Sequence, residues 1–327
     1  MSLAEFDLIA RIRERCASPR EDVRLGIGDD AALLAVPVGQ LLAVSTDSLV
    51  AGVHFAHGAD ARDLGAKALA VNLSDLAAMG ATPAWATLAL TLPEADARWV
   101  DDFADGFASL AGEYKLALVG GDTTRGPLSI TVTVHGFVPE GKALRRDHAR
   151  VGDGVFVTGT LGDAAAGLRL RLQRGGAASA LPELAHEALL LRLHRPTPRV
   201  AQGLVLRDRA HACIDISDGL IAYLGHVCAA SGVGANIDAA HLPASSALLA
   251  WGDDAERLAL QLGGGDDYEL CFTAAPDVAQ ALLEDLARSG CGATCIGEIV
   301  AGSGVRVRDA DGQPLVPAHA GWQHFAE

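Results

Sequence analysis

Six short segments, each joining one or two aspartates to glycine or a small polar residue, punctuate this 327-residue chain. They are Gly28-Asp29-Asp30, Ser45-Thr46-Asp47, Asn72-x-Ser74-Asp75, Gly120-Gly121-Asp122, Asp215-Ile216-Ser217-Asp218-Gly219 and Gly264-Gly265-Asp266-Asp267. Each adjoins an apolar run, so the expected fold places acids where strands and helices begin and end. Any one of them alone reads as a surface turn or a helix cap. Together they demand more, because Asp75 lies among Leu69, Val71, Leu73 and Leu76, and Asp215 follows Ala212-Cys213-Ile214. A carboxylate in such surroundings is costly unless a cation or hydrogen-bond donors compensate it.

The balance of charged residues points the same way. There are 28 Asp against 13 Glu, and 23 Arg against three Lys (Lys67, Lys115 and Lys142). Asp suits turns, caps and metal sites, where a short carboxylate is held rigidly. No Lys precedes Ser or Thr, so there is no P-loop, and no H-R-D or D-F-G sequence marks a protein-kinase core. The formal charge of −15 argues against nucleic acid or an anionic membrane as a partner. The most apolar window, residues 31–44, is broken by Pro37, Gly39 and Gln40 and is too short to span a bilayer. The opening residues carry acids where a secretory leader needs bases, and the six Cys include no C-x-x-C pair. A cytoplasmic protein is expected.

Periodicity predicts helices over 3–16, 61–79 and 94–113 in the first half, with strands at Leu41–Val44, Ala84–Leu92, Leu116–Val119 and Ser129–Val138. The first of these strands is expected to end at Ser45-Thr46-Asp47, and the third to run into a Gly120-Gly121-Asp122 loop. The charged stretch 139–152 is the expected boundary between domains 1–140 and 150–327. In the second half, strands are expected at Val155–Val157, Ala212–Ile216, Asp267–Thr273, 296–300 and 304–308. Helices are expected from 163 towards 209, over Gly219–Ala230 and over 276–289. Strands and helices mixed in both halves predict an α/β (α+β) protein of two domains.

Hard divalent cations prefer oxygen ligands, and Mg²⁺ is held by a few carboxylates together with substrate phosphates. Glycine beside the acids lets backbone N–H groups approach phosphate oxygens. The pattern therefore points to a nucleotide site holding several Mg²⁺ ions, in which metal does the work of the absent P-loop lysine.

In order and spacing the segments resemble those of the thiamine-monophosphate kinases, within the aminoimidazole-ribonucleotide-synthetase superfamily of ATP-binding enzymes. The matching stretches are Gly26–Ala32, Ser45–Val50 with Gly52–Phe55, Lys67–Pro83, Val119–Gly126, Ile214–Leu220 and Gly264–Phe272. The resemblance implies an N-terminal sheet-and-helix domain, a C-terminal α/β domain and a homodimer with N-terminal sheets side by side. It implies transfer of the γ-phosphate of ATP to thiamine monophosphate, giving thiamine diphosphate and ADP. Asp30, Ser45, Thr46, Asp47, Asp75, Asp122, Asp215 and Asp218 would hold Mg²⁺. Gly121, Asp122, Arg146 and Ser217 would contact ATP, and His54, Asp266 and Trp322 the thiamine moiety. Two positions depart from the family pattern: Asp266 stands where Glu is usual, and no tyrosine lies near Phe103, where Ala104 and Asp105 stand instead.

A phosphate monoester is largely ionised near neutral pH, its second pKa being about 6. No general base is then required, and none is expected here. Two alternatives remain: an ATP-dependent synthetase of the same superfamily, and a non-catalytic protein that binds metal or nucleotide. Selenophosphate synthesis needs a reactive Cys and a Lys near the N-terminus, and no Lys precedes Lys67.

Overall fold

The computed structural model describes residues 4–172, 181–317, 319 and 321–322. The chain forms two compact units, Met1–Leu76 with Ala81–Gly141, and Ala77–Gly80 with Lys142–Glu327.

The first unit is built on a four-stranded sheet of β3 (Gln40–Val50), β6 (Ser129–Pro139), β4 (Thr82–Leu92) and β5 (Ala117–Arg125), in that order. Two short strands, β1 (Val23–Leu25) and β2 (Leu33–Leu34), pair separately. Val23, Ala32 and Leu34 pack over Trp85, Ala117, Val119 and Phe137 on one face of the large sheet. Helix α2 (Ala61–Ala78) meets the opposite face, since Asp75 on α2 accepts a hydrogen bond from Ser45 on β3. Rich in Ala and Leu, α2 is buried along nearly its whole length. Helix α3 (Ala97–Glu113) starts at an Asp96 cap that accepts from the N–H groups of Arg98 and Trp99. It buries Val100, Phe103, Ala104 and Phe107. Helix α1 (Glu5–Arg15) is tied to α3 by Arg11 and Arg15 on Asp101 and by Arg15 on Asp105.

Two expectations need correction here. β3 does not end at Ser45-Thr46-Asp47 but runs through it, in unbroken register with β6 from Gln40↔Pro139 to Val50↔Ser129. It is an edge strand with no second neighbour among the described residues, and polar side chains are tolerated on both its faces. Likewise Gly120-Gly121-Asp122 lies inside β5, past a register shift in β4 between Ala86 and Thr87. A Cβ on Gly121 would stand 1.9 Å from the Leu88 carbonyl oxygen, so only glycine lets the strands approach there.

The second unit holds a seven-stranded sheet in the order β13-β12-β9-β11-β7-β10-β8. Its strands are β7 (Gly154–Thr158), β8 (Ala212–Ile216), β9 (Gly234–Asp238), β10 (Glu269–Ala274), β11 (Ala293–Val300), β12 (Gly304–Arg308) and β13 (Pro314–Leu315). All pairs are antiparallel except β12 with β9. Helix α7 (Leu220–Ser231) buries Leu220, Leu224 and Val227 with strand residues such as Val155, Ile214 and Ile237. A second cluster joins α4 (Asp163–Leu172), α5 (Glu183–His194), α8 (Ser246–Leu249) and α9 (Asp254–Gly263) around Leu189, Leu248 and Trp251. Helices α6 (Val200–Leu206) and α10 (Pro276–Arg288) complete the unit. β9 is not anticipated, being short and opening on glycine, and β10 begins at Glu269 rather than Asp267. Leu3 and residues 173–180, assigned to helical stretches above, lie outside the described residues.

Four thiols, Cys16, Cys213, Cys228 and Cys271, are buried, Cys291 is half-buried and Cys295 is exposed. Burial pushes the Cys16 and Cys271 thiols up to about 12 and that of Cys213 well above its ordinary value.

Candidate active site

In the first unit, side chains alternate across the sheet and sort the candidate residues onto two faces. Ser45 and Asp47 point to the helix face. Ser45 Oγ donates to Asp75 Oδ2 at 2.5 Å, and the Asp47 backbone N–H donates to Asn72 Oδ1 at 3.0 Å. The i,i+3 spacing of Asn72 and Asp75 on α2 thus engages two alternate residues of β3. Thr46 lies on the other face, its hydroxyl 2.8 Å from that of Thr133, beside a matching Ser48–Thr131 pair at 2.7 Å. Asp122 is level with Ala89, which is level with Thr131, so Asp122 shares the Thr46 face. Asp30 is exposed between β1 and β2, its N–H bonded to Asp29 Oδ1. His54 follows β3 and is half-buried, its Nδ1 accepting from the Val50 N–H at 3.0 Å. Near Phe103, Ala104 is in the core and Asp105 is tied to Arg15 and Arg62.

In the second unit the structure brings five candidates together. Asp215 is buried in β8, and the chain leaves that strand through Ser217 and Asp218. The Asp266 N–H donates to the Ser217 carbonyl at 2.7 Å, and the Trp322 N–H to the Asp218 carbonyl at 2.9 Å. A Cβ on Gly265 would stand 2.7 Å from the Ser217 oxygen, so glycine is needed where these loops touch. Tyr223 on α7 locks the turn, its hydroxyl 2.5 Å from Ser217 Oγ and donating to Asp218 Oδ2 at 2.9 Å. Burial raises the Tyr223 hydroxyl above its usual pKa, so it remains a donor. Trp322 is 59% exposed and so does not cap the core. Arg146 is not part of this group. Its carbonyl accepts from Ser231 Oγ at the far end of α7, roughly 17 Å along that helix from Leu220.

Three further residues were not singled out in the sequence. Glu269 is fully buried and is gripped by Arg199 through two bonds of 2.6 Å, by Arg192 at 2.8 Å and by Thr158 Oγ1 at 2.7 Å. An acid at the head of the apolar run Leu270-Cys271-Phe272 is the sequence signal for Glu269. Arg192 and Arg199, some 70 residues away, have none.

Residues 28–138 match the family AIR synthase related protein, N-terminal domain, and residues 150–310 match AIR synthase related protein, C-terminal domain. The whole chain is 51% identical over 330 residues to the thiamine-monophosphate kinase of Escherichia coli K12, covering 99% of that protein. The chain belongs to the thiamine-monophosphate kinase family. The crystal structure of the Stenotrophomonas maltophilia K279a thiamine-monophosphate kinase superposes with a TM-score of 0.87 at 54% identity, covering 96% of this chain and 99% of that one. The structure of AaThiL complexed with AMPPCP and TMP superposes with a TM-score of 0.77 at 34% identity, covering 99% of both chains. The two-domain architecture is thus that of the thiamine-monophosphate kinases.

Proposed function

We propose that this chain transfers the γ-phosphate of ATP to thiamine monophosphate, giving thiamine diphosphate and ADP. The observation that carries this reading is the full-length identity to thiamine-monophosphate kinases, supported by a relative solved with AMPPCP and TMP. The geometry is compatible at each end of the reaction. An exposed indole at Trp322 beside Asp266 offers a stacking face and a negative charge to a cationic heterocycle. His54 is the third proposed contact to the thiamine moiety. Gly121, Asp122, Arg146 and Ser217 are the proposed ATP contacts.

The donor set fits Mg²⁺. The side chains of Ser45, Asp47 and Asp75 offer oxygen ligands, and the Ser45–Asp75 pair is already formed. Among the described residues no three His, Cys, Asp or Glu side chains are placed together so as to hold a metal ion by themselves. The proposed site therefore relies on Mg²⁺ keeping several waters and taking phosphate oxygens beside one or two carboxylates. Asp30, Ser45, Thr46, Asp47, Asp75 and Asp122 of the first unit, with Asp215 and Asp218 of the second, are the proposed ligands. When bound, Mg²⁺ would neutralise charge on the phosphates and lower the repulsion between ATP and a second dianion. The acceptor phosphate carries its own nucleophilic oxygen, so the protein's part is to orient it in line with the γ-phosphate and to exclude water.

We place the enzyme in the cytoplasm as a homodimer joined through its N-terminal sheets. Among the described residues no helix is long and apolar enough to cross a membrane. Leu42 and Val44 stand exposed on edge strand β3, an apolar surface suited to a second copy. Sedimentation at the mass of one chain would remove the dimer. The activity is tested by ADP release from Mg-ATP with and without thiamine monophosphate, the product being weighed by mass spectrometry for one added phosphate. ADP formed without thiamine diphosphate would overturn the reading.

A further inference from the structure

Of the two adjacent acids in Gly264-Gly265-Asp266-Asp267, the family resemblance assigns a role to Asp266 alone, and the structure gives Asp267 a separate one. Asp266 is half-buried in the loop beside Ser217 and Trp322, whereas Asp267 is 1% exposed and turns the opposite way. Asp267 Oδ2 accepts the N–H of Gly162 at 2.8 Å, at the head of α4. Its Oδ1 is buried and has no hydrogen-bond partner among the described residues. Its carbonyl takes Arg192 Nη2 at 3.2 Å, the same nitrogen that reaches Glu269.

The backbone on either side is strained. Asp266 has φ +67° and Tyr268 φ +51°, left-handed conformations that L-residues seldom adopt and that cost about 1–2 kcal/mol each. Such a kink persists only where its surroundings over-determine it. Here the Asp266 N–H is bonded to Ser217 O and the Tyr268 N–H to Ile216 O at 2.8 Å, while the Tyr268 hydroxyl donates to Asp266 Oδ1 at 3.1 Å. The Asp267 side chain lies between the two strained residues and is bonded to a different element, α4.

We propose that Asp267 is a positioning residue for the phosphate acceptor: its buried carboxyl pins the 264–268 loop to the head of α4 and so fixes the direction in which Asp266 is presented. The inference rests on the reading above that Asp266 contacts the thiamine moiety. Burial, with Asp163 and Glu269 nearby, pushes the Asp267 carboxyl well above the usual carboxylate range, against the pull of the Gly162 N–H and Arg192. A carboxyl pushed towards its neutral form, with one bonded oxygen, is well mimicked by an amide. The anchor works through shape and one accepted hydrogen bond.

The test is steady-state kinetics on the full chain, varying thiamine monophosphate and ATP separately, for wild type, Asp267→Ala and Asp267→Asn. Asp267→Ala is expected to raise KM for thiamine monophosphate tenfold or more while KM for ATP stays within twofold, and Asp267→Asn to restore most of the loss. The same alanine variant should exchange the Asp266 and Tyr268 amides faster than wild type, a readout independent of turnover. An unchanged KM for thiamine monophosphate, equal rises in both KM values, or an asparagine variant as impaired as the alanine one would each overturn the proposal. If Asp267→Ala does not fold, Asp267→Asn decides: KM within threefold of wild type upholds the anchor, and a tenfold rise refutes it. Wild type failing to phosphorylate thiamine monophosphate at all would instead refute the underlying reading of function.

Discussion

The candidate residues of the two units are held by different means. In the first, Ser45, Thr46, Asp47, Asp75 and Asp122 project from long regular elements, β3, α2 and β5, whose backbones are satisfied by their own ladders and helix bonds. In the second, Ser217, Asp218, Asp266 and Trp322 sit in loops that hold each other through backbone bonds and close glycine contact, above a buried Glu269 with two arginines. The lesson is that side chains of the first set can be exchanged with little effect on the fold, whereas in the second set shape and chemistry are the same thing.

The sharpest way to break that contrast is Asp75→Asn. The amide can still accept from Ser45, so the melting temperature should barely move, while turnover should fall on the order of 10³-fold, about 4 kcal/mol of barrier. A large loss of thermal stability with activity retained would reverse the assignment. Next in size is Arg199→Ala in the second unit, which strips Glu269 of a bidentate partner and should cost about 3 kcal/mol in urea unfolding. An unfolding midpoint equal to wild type would show that Arg192 and Thr158 suffice. Saturating Mg²⁺ with a non-hydrolysable ATP analogue, at about 100 times its Kd, should add about 2.7 kcal/mol to stability. No shift in a calorimetric scan would remove the nucleotide site. The smallest effect is expected for Gly265→Ala, whose methyl group must displace the Ser217 carbonyl, at about 1–2 kcal/mol together with a higher KM for thiamine monophosphate. A stability loss with KM unchanged would show that the loops bend without disturbing the acceptor site.

Much of the architecture is legible from periodicity because the responsible patterns are local. Ile130, Val132 and Val134 alternate with Thr131, Thr133 and His135, and β6 runs Ser129–Pro139. The helix expected over 61–79 is α2, Ala61–Ala78. What escapes is set by partners far away in sequence. Ser45-Thr46-Asp47 looks like a turn because polar residues interrupt an apolar run, yet eleven paired residues of β6 hold it as strand. Gly120-Gly121 looks like a loop, but the Leu88 carbonyl approaches too closely to permit a side chain. At the site the same limit applies more strongly. Asp266 and Asp267 are indistinguishable as letters, and the partner of the buried one, Gly162, lies more than a hundred residues away. The proximity of Trp322 to Asp218, across more than a hundred residues, leaves no local mark.

The arrangement of thiols has a practical consequence. Cys295 is open to solvent, whereas Cys16 is shut inside the first unit and Cys213, Cys228 and Cys271 inside the second. Only the thiolate reacts, and burial suppresses it at the hidden positions. A brief pulse of alkylating reagent therefore tags the native molecule first at Cys295, and each later tag records a breathing event at a known address. Tagging at Cys16 clocks the opening of one half, and tagging at the other three clocks the opening of the second, without a single engineered label.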